Sequence, residues 1–106
     1  MDTQTVTALV ETVEKSRARA AEDTSRLSEL ADALTRLGVA YNNQGEFPDA
    51  VATIEEAADT WRRVGSAKDL AASLTTLSGY YAAIGLDDEA AAVAKESAEL
   101  TQPGRE

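Results

Sequence analysis

Two stretches of the chain, 40 residues apart, decide the fold. Residues 34–45 read LTRLGVAYNNQG, and residues 74–85 read LTTLSGYYAAIG. They share two leucines, a threonine, a tyrosine and a glycine at the same places, and matches continue at Leu30 with Leu70 and at Glu56 with Glu96. Alanine matches arise easily in this alanine-rich chain, but a run of leucine, tyrosine and glycine matches does not. The chain therefore contains an internal duplication.

Each repeat predicts two helices. In the first repeat, apolar residues recur at intervals of three and four, which is the helical period. These are Leu27, Leu30, Leu34, Leu37 and Tyr41. Gly45 can adopt the left-handed conformation that ends a helix, and Pro48 suits the first turn of the next one. Gly65 ends that second helix, and Ser66 with Asp69 forms a cap for the following one.

The second repeat has the same plan, with Gly85 between its helices and acidic residues at 87–89, where the helix dipole favours them. The first 25 residues match only the second helix of a repeat. We therefore predict an all-α chain of antiparallel helix hairpins, with five helices near 4–22, 26–43, 47–64, 67–84 and 87–101. The predicted units are a half-repeat helix at 1–25, repeats at 26–65 and 66–101, and a disordered tail at 102–106.

These residues resemble the tetratricopeptide repeat, whose signature is a Leu-Gly pair, a tyrosine three residues later, a glycine in the turn and small residues along the second helix. The first repeat supplies Leu37, Gly38, Tyr41, Gly45, Phe47, Ala50, Ile54 and Ala57. The second supplies Leu77, Tyr81, Gly85, Ala90, Ala94 and Ser97. The resemblance covers residues 27–100 and implies an α-solenoid. With a period about six residues longer than the usual 34 or so, the chain resembles a longer-helix variant.

The second repeat departs from the family pattern at two places. Ser78 stands where the first repeat has Gly38, and Asp87 stands where it has the aromatic Phe47. The closing proline of the signature is absent from both repeats. The second repeat is therefore the weaker match.

Composition excludes several functions. The chain has ten basic and nineteen acidic residues, a net charge of −9, which disfavours both nucleic acid and anionic lipid as partners. It has no cysteine and no histidine, so disulfides, thiolate nucleophiles, imidazole bases and the usual zinc sites are excluded. Neighbouring carboxylates such as Glu55 and Glu56 point in different directions on a helix. We therefore expect neither an enzyme nor a cofactor.

The subcellular location expected from the sequence is the cytoplasm. No run approaches the roughly 18 apolar residues of a membrane-spanning helix, and the N-terminus lacks the basic start and apolar run of a signal peptide. Whether the chain is a whole gene product or a segment of a longer solenoid stays open.

The family resemblance implies that the first helix of each pair lines the concave face and binds a protein or peptide there. By spacing, that face carries Asp32, Thr35, Arg36, Val39, Asn42, Asn43, Ala72, Thr75, Thr76, Gly79, Ala82 and Ala83. Only Arg36 could contact an anion, so a clamp for peptide carboxylates is not expected. The residues that the second repeat contributes to this face have small side chains. This predicts either a helix or peptide docked closely on it, or an unoccupied face of an alanine-rich protein.

Three further features bear on partners. The first helix carries apolar residues with no helix before it, namely Val6, Leu9, Val10 and Val13. Either it folds back to bury them, or two chains cover each other's ends as a homodimer, which is the hypothesis preferred here. Trp61 is expected in the core, with an interface anchor as the alternative. Tyr80, which has Ala40 as its counterpart, is a candidate exposed contact.

The function predicted from the sequence is therefore a non-enzymatic protein–protein interaction module that self-associates. The alternative is the peptide-sensing regulatory domain of a bacterial signalling or transcription system, since some regulators that resemble this family bind short peptides in the concave face. Those regulators have more repeats and a separate DNA-binding segment.

Overall fold

The computed structural model describes residues 3–102, and the side chains of residues 5–102. This part of the chain forms five α-helices, which are α1 (Thr3–Glu22), α2 (Leu27–Asn43), α3 (Phe47–Val64), α4 (Ala67–Ala83) and α5 (Asp87–Thr101). The all-α prediction is confirmed, and each helix end lies within one residue of its expected place. A short 3-10 turn at Thr24–Arg26 was not predicted. Most of the predicted tail, residues 103–106, lies outside the described residues.

Glycines end α2, α3 and α4 as the sequence predicts. Gly45, Gly65 and Gly85 have φ angles of 80°, 88° and 83°, in the left-handed region that glycine enters without a steric penalty. The N–H of Glu46 donates to the carbonyl of Tyr41 at 2.9 Å, and the N–H of Leu86 donates to that of Tyr81 at 2.9 Å. Both turns thereby satisfy carbonyls that the helix leaves free, and the two repeats reverse direction in the same way.

The Ser66 cap also forms as predicted. The Ser66 hydroxyl accepts from the N–H of Asp69 at 3.3 Å and donates to Asp69 Oδ2 at 2.7 Å. This reciprocal pair satisfies one of the N–H groups that the first turn of α4 leaves free. The cap therefore holds the carboxylate of Asp69 beside the start of α4.

The helices form two layers. The most extensive contacts join α2 with α3 and α4 with α5, and smaller ones join α1 with α2 and α3 with α4. Ion pairs link α1 to α3 and α3 to α5 along one layer, while α2 and α4 form the other. The molecule is a slab of 41 × 35 × 16 Å. This is the packing of stacked helix hairpins, as the family resemblance implies.

The core consists of two apolar clusters. One lies between α1, α2 and α3, and the other lies between α2, α3 and α4 and includes Trp61, which is 7% exposed. Trp61 is thus a core residue, as expected. On α1, Val13 is buried in the first cluster at 3% exposed, and Val6, Leu9 and Val10 pack against it in part. The first helix therefore folds back on α2, and Val13 has no surface left for a second chain.

The candidate interaction surface on α2 and α4

The predicted concave-face residues lie on the outward sides of α2 and α4, with different degrees of exposure. Exposed positions are Asp32, Arg36, Val39, Asn43, Ala72, Thr75, Gly79, Ala82 and Ala83. Half-buried positions are Thr35, Asn42, Thr76 and Tyr80. None of these residues is fully buried, so each retains some surface for a partner.

The face of α4 is open at Gly79. A Cβ built on this residue meets no atom within 4 Å, so the helix backbone itself is accessible there. At Gly38 on α2, by contrast, a Cβ would lie 2.5 Å from Ile54 Cδ1. The two glycines therefore have different roles, since Gly38 permits close packing inside the fold and Gly79 leaves open space outside it.

A cavity of about 130 Å³ lies between α2, α3 and α4. Four predicted residues line it, which are Asp32, Thr35, Ala72 and Thr76. Four others were missed by the sequence analysis, which are Ile54, Trp61, Asp69 and Ser73. We call this the α2–α4 cavity. Its large apolar side chains come from α3, and its polar side chains come from the other two helices.

Helical spacing could have found the two missed polar residues. On α4, Asp69, Ala72, Ser73 and Thr76 stand at intervals of three, four and seven residues, so they share one face of the helix. The choice of Ala72 and Thr76 therefore already implied Asp69 and Ser73. Ile54 and Trp61 left no such signal, because they belong to another helix and are buried.

Two predicted residues point away from the α2–α4 cavity. The hydroxyl of Thr75 lies 2.8 Å from that of Ser97, which itself donates to the carbonyl of Ala71 at 2.9 Å. Thr75 thus joins α4 to α5. Tyr80 packs against the second core cluster, and burial raises the pKa of its hydroxyl. Only part of its side chain is left for a partner.

A second cavity, of about 270 Å³, lies between α1 and α2, and the predicted Arg36 lines it. We call it the α1–α2 cavity. Its lining consists of Thr12, Ser16, Arg19, Glu29, Asp32, Ala33 and Arg36. The α2 residues here are the counterparts, 40 residues earlier, of those that α4 contributes to the α2–α4 cavity. The duplication has therefore produced two equivalent cavities with different side chains.

The opposite layer carries charged contacts between helices. Arg17 pairs with Glu56, and Arg62 pairs with Glu96 at 2.5 and 3.1 Å. The hydrogen bond from Arg62 lowers the pKa of the Glu96 carboxyl below its usual value. Tyr81 donates to Glu55, and burial together with this bond raises its pKa to about 12. These groups join helices to one another, and none of them faces the α2–α4 cavity.

Comparison with known proteins settles the family. The family profile described as "Tetratricopeptide repeat" matches residues 29–102, more than half of the chain. The chain belongs to the tetratricopeptide repeat family. No curated protein matches it, and no solved structure does. Tetratricopeptide repeats generally act as protein-interaction modules and not as catalysts, so the match supports protein binding as the general role.

The structure also explains how this tetratricopeptide chain accommodates Ser78. The Ser78 hydroxyl donates to the carbonyl of Ala90 on α5 at 2.9 Å. Space for it exists because Ala94 stands where the first repeat has Ile54. The departure from the family pattern is therefore compensated by a smaller residue on the partner helix.

No helix within residues 3–102 is long and apolar enough to cross a membrane. Within the same residues, no group of three or more His, Cys, Asp or Glu side chains is placed to hold a metal ion.

Proposed function

We propose that this chain is an interaction module that docks a helix or an extended peptide of another protein on the exposed faces of α2 and α4. The observation that carries the proposal is the open backbone at Gly79, with Ala72 and Ala83 on the same exposed face. Small side chains allow another backbone to come close, and close approach gives extensive contact without deep pockets. The family match supports a protein as the ligand.

In this proposal, polar residues on α2 orient the docked peptide. Arg36, Asn42 and Asn43 retain surface along the helix that faces the same side as α4. Their amide and guanidinium groups can donate to the carbonyls of a docked peptide. Affinity then comes mainly from apolar contact along α4, and specificity from hydrogen bonds along α2.

The test uses a displayed library of random 16-residue peptides selected on the whole chain. Selected peptides are synthesised, and their affinities are measured by calorimetry for the wild type, for Gly79→Leu and for Ala92→Leu. Ala92 is an exposed alanine on α5, so its variant is the matched control. We expect Gly79→Leu to weaken binding by about tenfold or more, because a central bulky side chain prevents contact, and we expect Ala92→Leu to bind as the wild type does.

Two results would contradict the docking proposal. One is that selection enriches no peptide at all. The other is that Gly79→Leu binds the selected peptides as tightly as the wild type. Circular dichroism of each variant accompanies the measurement, so that a loss of helix is not taken for a loss of binding.

Self-association is the second part of the proposal. It rests on Val6, Leu9 and Val10, which remain half-exposed on α1 after packing on the core. A two-fold dimer would cover these side chains with the same side chains of a second copy. Val13 is left out of this surface because it is already buried.

Light scattering behind a sizing column, over a hundredfold range of concentration, tests the dimer. We expect twice the chain mass of 11.2 kDa for the wild type. We expect a shift toward the monomer for Val6→Ser and none for Val64→Ser, since Val64 is an exposed valine at the end of α3. A monomer at every concentration would overturn this part and leave peptide docking untouched.

A further inference from the structure

We infer that the α2–α4 cavity binds one basic side chain, arginine in particular, of the docked protein partner. The inference rests on the proposed docking function and names what the partner presents to this place. Asp32, Asp69 and the hydroxyl of Ser73 would meet the charged end of that side chain. Ile54 and Trp61 would contact its aliphatic stem.

One hydroxyl in the lining of the α2–α4 cavity, that of Ser73, is unused. Ser73 is only 6% exposed, yet its side chain has no hydrogen-bond partner among residues 5–102. Every fully enclosed side-chain polar atom in that range is paired, so the Ser73 hydroxyl must keep some access to solvent. Ser73 lines the α2–α4 cavity. A group that enters the cavity could therefore supply the missing partner, and a serine hydroxyl can accept from a cation.

The charge of the cavity lining also favours a cation. Two acidic residues, Asp32 and Asp69, line the cavity, and no basic residue does. Asp69 Oδ2 already accepts from Ser66, which holds that carboxylate in position at the cavity. A guanidinium is planar and carries five donors, so it can bond two carboxylates and a hydroxyl together. A neutral or acidic side chain would bring no positive charge to these two carboxylates.

The duplication offers another cavity for comparison. The equivalent α1–α2 cavity is lined by the acidic residues Glu29 and Asp32, the latter shared with the α2–α4 cavity, and by two arginines of the chain itself, Arg19 and Arg36. The counterpart of Arg36 on α4 is Thr76, and α3 places Ile54 and Trp61 where α1 places polar residues. The second cavity thus keeps acidic residues but lacks basic ones. Arginine from a partner would restore the combination found in the first.

The size and the lining fit this occupant. A volume of about 130 Å³ is close to the roughly 150 Å³ that holds a small aromatic ring in other proteins. The planar end of an arginine side chain is of similar dimensions. Trp61 offers an aromatic surface, on which guanidinium groups stack favourably.

The experiment is a titration of the ¹⁵N-labelled chain followed by NMR, with N-acetyl-arginine amide as the probe. N-acetyl-citrulline amide is the control, since it has the same shape without the charge. We expect saturable shifts at the Ser73 amide and the Trp61 indole, with a dissociation constant of about 1–10 mM for so small a ligand. The dissociation constant of citrulline amide should be larger by about fivefold or more, since citrulline lacks the ionic contacts.

Two variants test whether the carboxylates of the cavity are the ones that bind arginine amide. Asp32→Asn should weaken arginine amide binding by about threefold to tenfold, because one carboxylate is lost. Glu99→Gln removes the same charge from an exposed position on α5 outside the cavity, and should leave the binding unchanged. Higher salt should weaken the binding of arginine amide more than that of citrulline amide.

Equal binding of the two amides, or no shift at Ser73 and Trp61 at 50 mM arginine amide, would overturn the inference. So would an unchanged affinity in Asp32→Asn. These results would not touch the docking proposal, since selected peptides could still lose affinity with Gly79→Leu. Conversely, failure of peptide selection would leave saturable arginine amide binding as evidence for the cavity alone.

Discussion

At the scale of single residues, the two repeats differ in how their paired helices contact each other at equivalent positions. Gly38 on α2 allows Ile54 of α3 to pack directly over the backbone. In the second repeat, Ser78 and Ala94 occupy the equivalent positions, and the contact becomes a hydrogen bond from Ser78 to Ala90. The first pair of helices is therefore held by apolar packing where the second uses a hydroxyl.

This difference predicts opposite effects of one substitution at two glycines. Gly38→Ala should lower the free energy of unfolding by about 1 kcal/mol or more, because overpacking against the buried Ile54 outweighs the gain in helix propensity. Gly79→Ala should raise it by about 0.5–1 kcal/mol, since alanine favours the helix and nothing obstructs its Cβ. Urea unfolding measures both, and a change of the same sign in both would refute the contrast.

A second prediction concerns Tyr81. Burial and the bond to Glu55 raise its pKa to about 12, above the usual value near 10. Because the folded state favours the protonated phenol, the stabilisation is complete below pH 10 and is lost as the pH rises from 10 to 12. In absorbance titrations of tyrosinate, Tyr81→Phe should remove a component that ionises near pH 12. Retention of that component would contradict the assignment.

The residue scale also shows the limit of sequence analysis for the candidate site. Thr75 was placed on the concave face by its spacing, but Ser97 of α5 binds its hydroxyl. Spacing tells which side of a helix a residue is on and not which neighbouring helix lies there. Helical spacing could have predicted Asp69 and Ser73. Ile54 and Trp61 line the cavity only because three helices meet there.

At the scale of elements, the helix bounds could be predicted because their causes are local. Glycines with positive φ end α2, α3 and α4, and Ser66 caps the start of α4, all within a few residues of sequence. The 3-10 turn was missed although its cause is local too. Asp23 accepts from the N–H of Ser25 at 3.0 Å and so competes with continuation of α1.

The layer of α1, α3 and α5 carries ion pairs that prediction did not find. Their partners lie more than 30 positions apart, and only packing brings them together. Glu56 and Glu96 are equivalent by the duplication, but the arginines that bind them are not. The ion pairs are therefore a product of the stacked arrangement and not of the repeat pattern alone.

We expect a small coupling between Arg62 and Glu96. Their side chains are 45% and 36% exposed, and pairs of this kind contribute about 0.2–1 kcal/mol. A double-mutant cycle with Arg62→Ala and Glu96→Ala, by urea unfolding, should give a value in that range that falls at high salt. Arg63 with Glu96 serves as the control cycle, with no coupling expected. Equal coupling in both cycles would show that the pair has no specific role.

At the scale of the whole molecule, the two layers differ in what they offer a partner. The layer of α1, α3 and α5 uses charged side chains to join its own helices. The layer of α2 and α4 exposes small and polar side chains such as Arg36 and Ala72, with the α2–α4 cavity between the two helices. A net charge of −9 favours a basic partner and faster association with it at low salt.

The most direct test of the account is where a selected peptide binds. The ¹⁵N-labelled chain is titrated with the tightest peptide from the displayed library, and amide shifts are mapped onto the five helices. The account predicts that the largest shifts follow the outward faces of α2 and α4, with Val39, Ala72 and Gly79 among them. Shifts confined to α3 and α5 would contradict it, since the partner would then bind the layer whose charges already join the helices.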